Sequence, residues 1–293
     1  MNNQNSKDNQ KLSVVQSTQN EAENIARNLD SVKDIADEMI VVDEYSSDGT
    51  GEIAKKHGAQ VFLEPHHDIF HITKQKAIDR AKNDWILQID TDEVVTPELA
   101  EEIKKVLLGY EIQIKDSNKQ KLFTRHQKLI EERDGKLGND NEEVVAYFIP
   151  RVNVFLGKPL VHAGVYPDGV IRLFKRGRAW LPGKSVHEQM EIDGKIGWLN
   201  ESLLHYDSPT FNKYLWRLNR YTDLKKEEFE QEKLSKNYGV LLFYSFVKPT
   251  IVFLNLYIRH KGFLDGMRGF VWSLFSALHF PIAYFKYWQD NLD

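Results

Sequence analysis

The chain has 293 residues, a formal net charge of −4 and no cysteine. That length allows one large domain or two smaller ones, and the charge gives no global basic balance for binding nucleic acid. The missing cysteines exclude disulfides, thiolate catalysis and cysteine-ligated zinc, and they fit a reducing compartment.

Residues 1–10 are polar, lack the apolar run of a signal peptide, and are expected to be a disordered lead-in. Leu12–Ser17 reads as a first strand. Glu21–Val32 has helical spacing, with Ile25 and Leu29 four apart. Glu38–Asp43 is a second strand, followed by Asp48-Gly49-Thr50 and a helix through Ile53 and Ala54. Ala59–Leu63 is a third strand, Ile72–Ala81 a helix and Trp85–Ile89 a fourth strand. Strands alternating with helices predict a parallel sheet with right-handed crossovers. Lys104–Glu143 is mostly polar and reads as a helix with an exposed extension or loop. Val145–Pro150 and Val170–Phe174 look like further strands, and Ser208-Pro209-Thr210 marks a boundary.

The last part of the chain changes character. Tyr238–Ile258 is almost wholly apolar, broken by Lys248-Pro249 and Asn255, and Phe263–Tyr287 is apolar and aromatic. The first run is about long enough to cross a bilayer. Lys-Pro near its middle argues against a simple lipid-exposed span, so helices in the membrane interface, or re-entrant ones, fit better. Aromatic residues beside Arg259, His260, Lys261 and Lys286 suit interfacial anchoring. The competing reading is a buried helical hairpin of a soluble domain.

Chemistry concentrates at the ends of the predicted strands. Trp85–Glu93 is an apolar strand that delivers Asp90 and Asp92 to the carboxyl edge, where open α/β sheets bind ligands. Side chains at i and i+2 of an extended segment share a side, and two carboxylates there suit Mg²⁺ or Mn²⁺, which can hold a diphosphate. The plainer reading is a strand followed by a helix cap, since Thr96-Pro97-Glu98-Leu99 looks like a helix start. Asp43 ends the second strand before Ser46-Ser47-Asp48-Gly49-Thr50. It suits a hydrogen bond to a nucleotide base or ribose, and the segment equally suits a turn and cap alone. Thr18, Asn20 and Glu21 at the end of the first strand would lie near Asp43. There is no Gly-rich phosphate loop, so a nucleoside diphosphate would need a metal.

Taken in order, Thr18-x-Asn20-Glu21, Asp43-x-x-Ser46-x-Asp48-Gly49-Thr50 and Asp90-Thr91-Asp92-Glu93 resemble a family 2 glycosyltransferase with the GT-A fold. Arg151–Lys158, Tyr166-Pro167-Asp168, Ile171–Phe174, Val186-His187-Glu188, Leu204-His205-Tyr206 and Gly262–Phe270 resemble the subgroup that contains lipopolysaccharide core β-1,4-glucosyltransferases. The resemblance covers roughly residues 12–287.

It implies an α/β GT-A domain over residues 11–207, with a mostly parallel sheet flanked by helices. A helical, membrane-proximal region follows over residues 208–293. It also implies inverting, metal-dependent transfer, with UDP-glucose as favoured donor and a lipid-linked or cell-surface glycan as acceptor. The enzyme would sit on the cytoplasmic face of the membrane, peripheral or monotopic. Transfer to polyprenyl phosphate or a capsule precursor, and a catalytically silent sugar-nucleotide-binding scaffold, are the alternatives.

By the same resemblance the base is Glu188, where related enzymes carry an acidic motif, with Asp168 as second candidate. The metal ligands are Asp90, Asp92 and His205. Donor contacts fall to Thr18, Asn20, Glu21, Asp43, Ser46, Asp48, Lys74, Asp90, Thr91 and Arg172. Each has a plainer role: His205 as a core histidine, Lys74 as a solvated helix lysine, Arg172 as a carboxylate partner, Asp168 as a turn residue and Glu188 as a surface carboxylate. Three positions depart from the pattern. Glu44-Tyr45 replaces small residues, Gln16 stands in an apolar strand, and Gln75 stands where Asn is usual.

Overall fold

A computed structural model describes residues 10–139, 143–183 and 189–289. In chain order the elements are β1 (Leu12–Thr18), α1 (Ile25–Val32), β2 (Glu38–Asp43), α2 (Thr50–Lys56), β3 (Gln60–Leu63), α3 (Phe70–Asp79), β4 (Trp85–Gln88), β5 (Glu93–Val95), α4 (Pro97–Leu107) and α5 (Ser117–Asp134). They continue with β6 (Val144–Ile149), β7 (Arg151–Phe155), β8 (Lys158–Leu160), β9 (Val170–Lys175), β10 (Ala179–Trp180), β11 (Glu191–Ile192), β12 (Lys195–Trp198) and β13 (Leu203–Ser208). Helices α6 (Phe211–Gln231), α7 (Tyr238–Leu242), α8 (Lys248–Leu254) and α9 (Gly266–Gln289) complete the chain. These elements divide into two compact units: Met1–Arg151 with Pro167–His205, and Val152–Tyr166 with Tyr206–Asp293.

The first unit is built on a seven-stranded sheet in the order β12-β6-β9-β4-β1-β2-β3. Strands β1 to β4 are mutually parallel, as the β/α alternation predicts. The sheet as a whole is mixed, because β9 runs antiparallel to both β4 and β6. The reason is local. A parallel neighbour needs a long crossover, usually a helix, whereas the strands after α5 are joined by loops and can turn back. Leu12, Val14 and Leu87 on the sheet pack with Leu99, Ile103 and Val106 of α4. A smaller cluster joins Ile25 and Leu29 of α1 to Val41 and to Ala54 of α2.

Local signals explain where helices begin. The Leu99 N–H donates to Thr96 Oγ1 and Pro97 opens α4, so the predicted cap is present. Helix α1 starts at Ile25, later than the spacing suggested. The preceding Glu21 is tied up instead, its N–H donating to Thr50 Oγ1 and its carboxylate accepting from Asn24 Nδ2. Gln10 is held too, accepting a 2.7 Å hydrogen bond from Trp85 Nε1. The rest of the expected lead-in lies outside the described residues.

The second unit contains the β7–β8 hairpin and helices α6 to α9. Phe155, Leu160 and Tyr214 pack with Trp272 and Phe275 of α9. Phe229 of α6 packs with Ala283, Tyr284 and Tyr287. The motif from Gly262 to Phe270 has a structural use here. A Cβ on Gly269 would stand 1.8 Å from the Gly262 carbonyl oxygen, so only glycine admits this approach. Asp265 accepts from the His162 N–H at 2.7 Å and pairs with its ring at 2.8 Å, pinning the same turn.

Tyr238–Arg259 is helical throughout, with π-helical turns at Phe243–Val247 and Asn255–Arg259. It is long and apolar enough to cross a membrane by length and composition alone, and its apolar stretch is not buried. The wide turn just before Lys248-Pro249 accommodates a proline that lacks an N–H and crowds the preceding turn.

Candidate functional site at the carboxyl edge of the sheet

Parallel strands β1, β2 and β4 deliver their ends to one edge, and the loops that follow them carry most of the expected residues. The two loops after β1 and β2 are laced together. The Asn20 N–H donates to Ser46 Oγ at 2.8 Å, and the Ser47 N–H donates to Asn20 Oδ1 at 2.9 Å. Asp43, buried, accepts from the Ser46 N–H at 3.1 Å and its hydroxyl at 2.5 Å. Asp48 accepts from the Thr50 N–H and hydroxyl and from the Ala22 N–H. The Thr50 hydroxyl bond outweighs burial and lowers the Asp48 carboxyl below its usual value. Thr18, Asn20, Glu21, Asp43, Ser46 and Asp48 are therefore brought together, and much of their polar capacity shapes the loops.

The β4 end divides its two aspartates. Asp90 lies between two cations, with Lys74 Nζ 2.5 Å from Oδ1 and Arg172 Nη2 2.5 Å from Oδ2. Burial opposes its ionisation, but Arg172 and Lys74 outweigh that and hold the carboxyl well below the usual carboxylate range. Thr91 is buried in the turn. Asp92 instead stands 3.5 Å from His205 Nε2. The register explains the meeting: β13 pairs antiparallel with β5, setting His205 opposite Glu93. A carboxylate and an imidazole converging this way suit a divalent cation.

Glu93, wholly buried, is the hub beneath the site. It accepts from Arg172 at 2.8 Å, from Arg151 at 3.2 Å and from the Asp90 N–H at 2.9 Å. Asn28 of α1 braces the same turn by donating to the carbonyls of Asp90 and Glu93. Arg151 reaches Asp168 at 2.9 Å, and Arg172 also donates to Gln88 at 2.6 Å. Burial alone would lower both guanidinium pKa values, but their carboxylate partners outweigh it and raise them. Sequence spacing assigns no role to Glu93, Arg151 or Asn28. Glu93 closes the Asp-Thr-Asp-Glu run and Arg151 follows Pro150, so both had a signal; Asn28 sits inside an ordinary helix and had none.

A cavity of about 590 Å³ opens beside these groups, lined by Lys74, Gln88, Arg133, Arg151, Arg172 and apolar residues including Phe70 and Leu181. Its walls combine cations with apolar surface, which suits a ligand with an anionic part. The three departures have structural accounts of unequal quality. Tyr45 is 63% exposed with φ of 52°, its ring in solvent, while Glu44 is buried and held by Thr73 and His66. Gln75 accepts from the Leu181 N–H at 2.7 Å, bracing the cavity wall. Gln16 is buried with neither amide atom partnered among the described residues, and nothing in the structure explains it. Glu188 lies outside the described residues.

Comparison with known proteins agrees with the resemblance. Residues 13–149 match the family described as Glycosyl transferase family 2. An uncharacterized glycosyltransferase of Rickettsia prowazekii is 28% identical over 279 residues, 91% of this chain and 83% of the relative. The lipopolysaccharide core biosynthesis glycosyltransferase LpsC of Rhizobium meliloti is 22% identical over 261 residues, 87% of this chain and 83% of the relative. Among solved structures, glucosyl-3-phosphoglycerate synthase from Mycobacterium tuberculosis, in complex with Mn²⁺, UDP and glucosyl-3-phosphoglycerate, is 26% identical with a TM-score of 0.28. That likeness covers 30% of this chain and 36% of the synthase.

Proposed function

Starting from a chain that is a family 2 glycosyltransferase, we propose that residues 11–207 form a GT-A catalytic domain that transfers a sugar, with inversion, from a nucleotide-sugar donor to a lipid-linked or cell-surface glycan. UDP-glucose is the favoured donor on the motif resemblance, and the similarity to LpsC supports a core glycan as acceptor. One observation carries the reading: Asp92 faces His205 two residues beyond Asp90, whose partners Lys74 and Arg172 wall the cavity.

In this reading Asp92 and His205 hold the divalent cation. Asp90, engaged by two cations, contacts the donor and keeps Lys74 and Arg172 in place. An imidazole nitrogen among oxygen donors suits Mn²⁺, and Mg²⁺ if donor and water supply the remaining oxygens. When bound there, such an ion neutralises charge on the leaving diphosphate. Lys74 and Arg172 add preorganised positive charge. The acceptor hydroxyl oxygen bonds to the anomeric carbon from the face opposite the diphosphate. The bond from that carbon to the phosphate oxygen breaks, and the acceptor proton passes to a carboxylate. Glu188 is the preferred base and Asp168 the second candidate.

For the second unit we propose peripheral or monotopic attachment at the cytoplasmic face of a membrane. Leu242, Phe246, Ile251, Leu254 and Ile258 are exposed at near-helical spacing, and Phe246 is 66% exposed. The single interval of five straddles Lys248-Pro249, next to the wide π-helical turn. Such a stripe supports lying in the interface, and attachment would concentrate the enzyme with a lipid-linked acceptor. The direct test is a screen of nucleotide sugars for slow hydrolysis, with Mn²⁺ and with chelator. Metal-dependent release of nucleoside diphosphate from one of them supports the function, and none from any sinks it.

A further inference from the structure

Helix α5 is almost wholly solvated, with Phe123 its one buried residue. Phe123 stacks on Trp198 at 4.3 Å between ring centroids, and Trp198 stacks on Phe148 at 4.5 Å on its other side. One turn further, His126 meets the Trp198 ring edge-on at 5.8 Å. Its Nε2 lies 3.0 Å from the Gly169 nitrogen and 3.1 Å from the Gly169 oxygen. A Cβ on Gly169 would stand 2.2 Å from the Trp198 ring, so the backbone is pressed against the indole at this point.

The residue before Gly169 is Asp168, whose φ is 33°. A non-glycine residue holds such a conformation only where its surroundings impose it. Its carboxylate pairs with Arg151, and Arg151 lines the cavity. We infer that His126 is a positioning residue for the transfer site. It grips the Gly169 peptide, fixes the strained turn at Asp168, and through Asp168 sets the Arg151 guanidinium. The two contacts need opposite states of Nε2. A bare Nε2 accepts from the Gly169 N–H, and a protonated one donates to the carbonyl. Burial lowers the proton affinity of the ring, which favours the neutral form and the first contact.

The inference rests on the reading of this cavity as the transfer site, so the test has one arm that needs no activity. Full-length His126→Phe keeps an aromatic ring against Trp198 and loses the hydrogen bond, whereas His126→Gln keeps an amide that can accept or donate. Hydrogen exchange of the Gly169 amide should speed up about tenfold or more in His126→Phe, with an unchanged melting midpoint, and return toward wild type in His126→Gln. In turnover, His126→Phe should lower kcat about tenfold to a hundredfold with little change in donor KM. The same substitution in an Asp168→Asn background should add almost nothing. Unchanged Gly169 exchange, or an equal loss in both backgrounds, overturns the inference. Altered exchange in a protein whose wild type turns over no nucleotide sugar would instead overturn the transfer reading.

Discussion

Asp90 and Asp92, one residue apart, have separate partners: Asp90 is clasped by Lys74 and Arg172, while Asp92 faces His205. The turn between them gives the two aspartates different surroundings, although the sequence reads both as metal ligands and Asp90 also as a donor contact. Each aspartate therefore has its own experimental signature.

The Arg172 guanidinium is buried and serves both Asp90 and Glu93. Replacing it with Met leaves two carboxylates short of a partner in the interior. Arg172→Met should cost about 3–5 kcal/mol in a urea titration, the usual scale for breaking a buried pair from one side. Arg172→Lys should recover only part of this, because a point charge on a flexible stem does not reproduce a planar fork. A loss below about 1 kcal/mol for Arg172→Met would show that this network does not hold the turn.

The base assignment separates by rate. Glu188→Gln should leave donor binding nearly intact and lower turnover by about a hundredfold or more. If Asp168→Asn does this and Glu188→Gln does not, the roles are exchanged. Loss of nucleotide binding in both variants would mean that each is structural.

Alkaline pH tests the first unit's core. Burial, with Glu111 and Glu102 nearby, pushes the Tyr147 hydroxyl from 10.0 up to about 12. A folded-state pKa above the unfolded one gives stability that is complete below pH 10 and is lost as pH climbs toward 12. The phenol's contribution is roughly 3 kcal/mol. Tyr147→Phe should flatten the fall in unfolding free energy over that window. An equally steep fall in the variant would remove Tyr147 from the account.

The parallel half of the sheet was legible because β1 to β4 alternate with helices and each strand has its own apolar run. The antiparallel insertion of β9 was not, since nothing in Val170–Lys175 records strand direction. Clustering of Thr18, Asn20, Asp43 and Asp48 followed from strand ends meeting at one edge. That Asn20 and Asp48 bond across to the neighbouring loop and Asp43 within its own, while Thr18 Oγ1 has no partner among the described residues, depends on rotamers and distances that spacing does not encode. The sequence reads Lys74 as a diphosphate binder or a solvated helix lysine, and Arg172 as a phosphate binder or a carboxylate partner. Both engage Asp90, while also lining the cavity.

The exposed stripe along Tyr238–Arg259 makes attachment testable without truncation. Full-length protein should float with lipid vesicles and resist release by high salt, because apolar burial at about 25 cal/mol per Å² is not screened. Phe246→Glu with Ile258→Glu should abolish flotation and leave the melting midpoint alone, since both side chains are exposed. Wild-type protein that stays soluble and monomeric without detergent, and ignores vesicles, would contradict the proposed attachment.

The central claim is metal-dependent use of a nucleotide sugar through Asp92. The most direct measurement is UDP release from UDP-glucose, followed with Mn²⁺ and with chelator in wild type and Asp92→Asn. Asparagine removes the charge with little change of shape, so the fold should persist by circular dichroism. The account predicts release by wild type only with Mn²⁺, and a loss of about a hundredfold or more in Asp92→Asn at every Mn²⁺ concentration. Near-normal release by Asp92→Asn, or wild-type release that chelator does not touch, would contradict it.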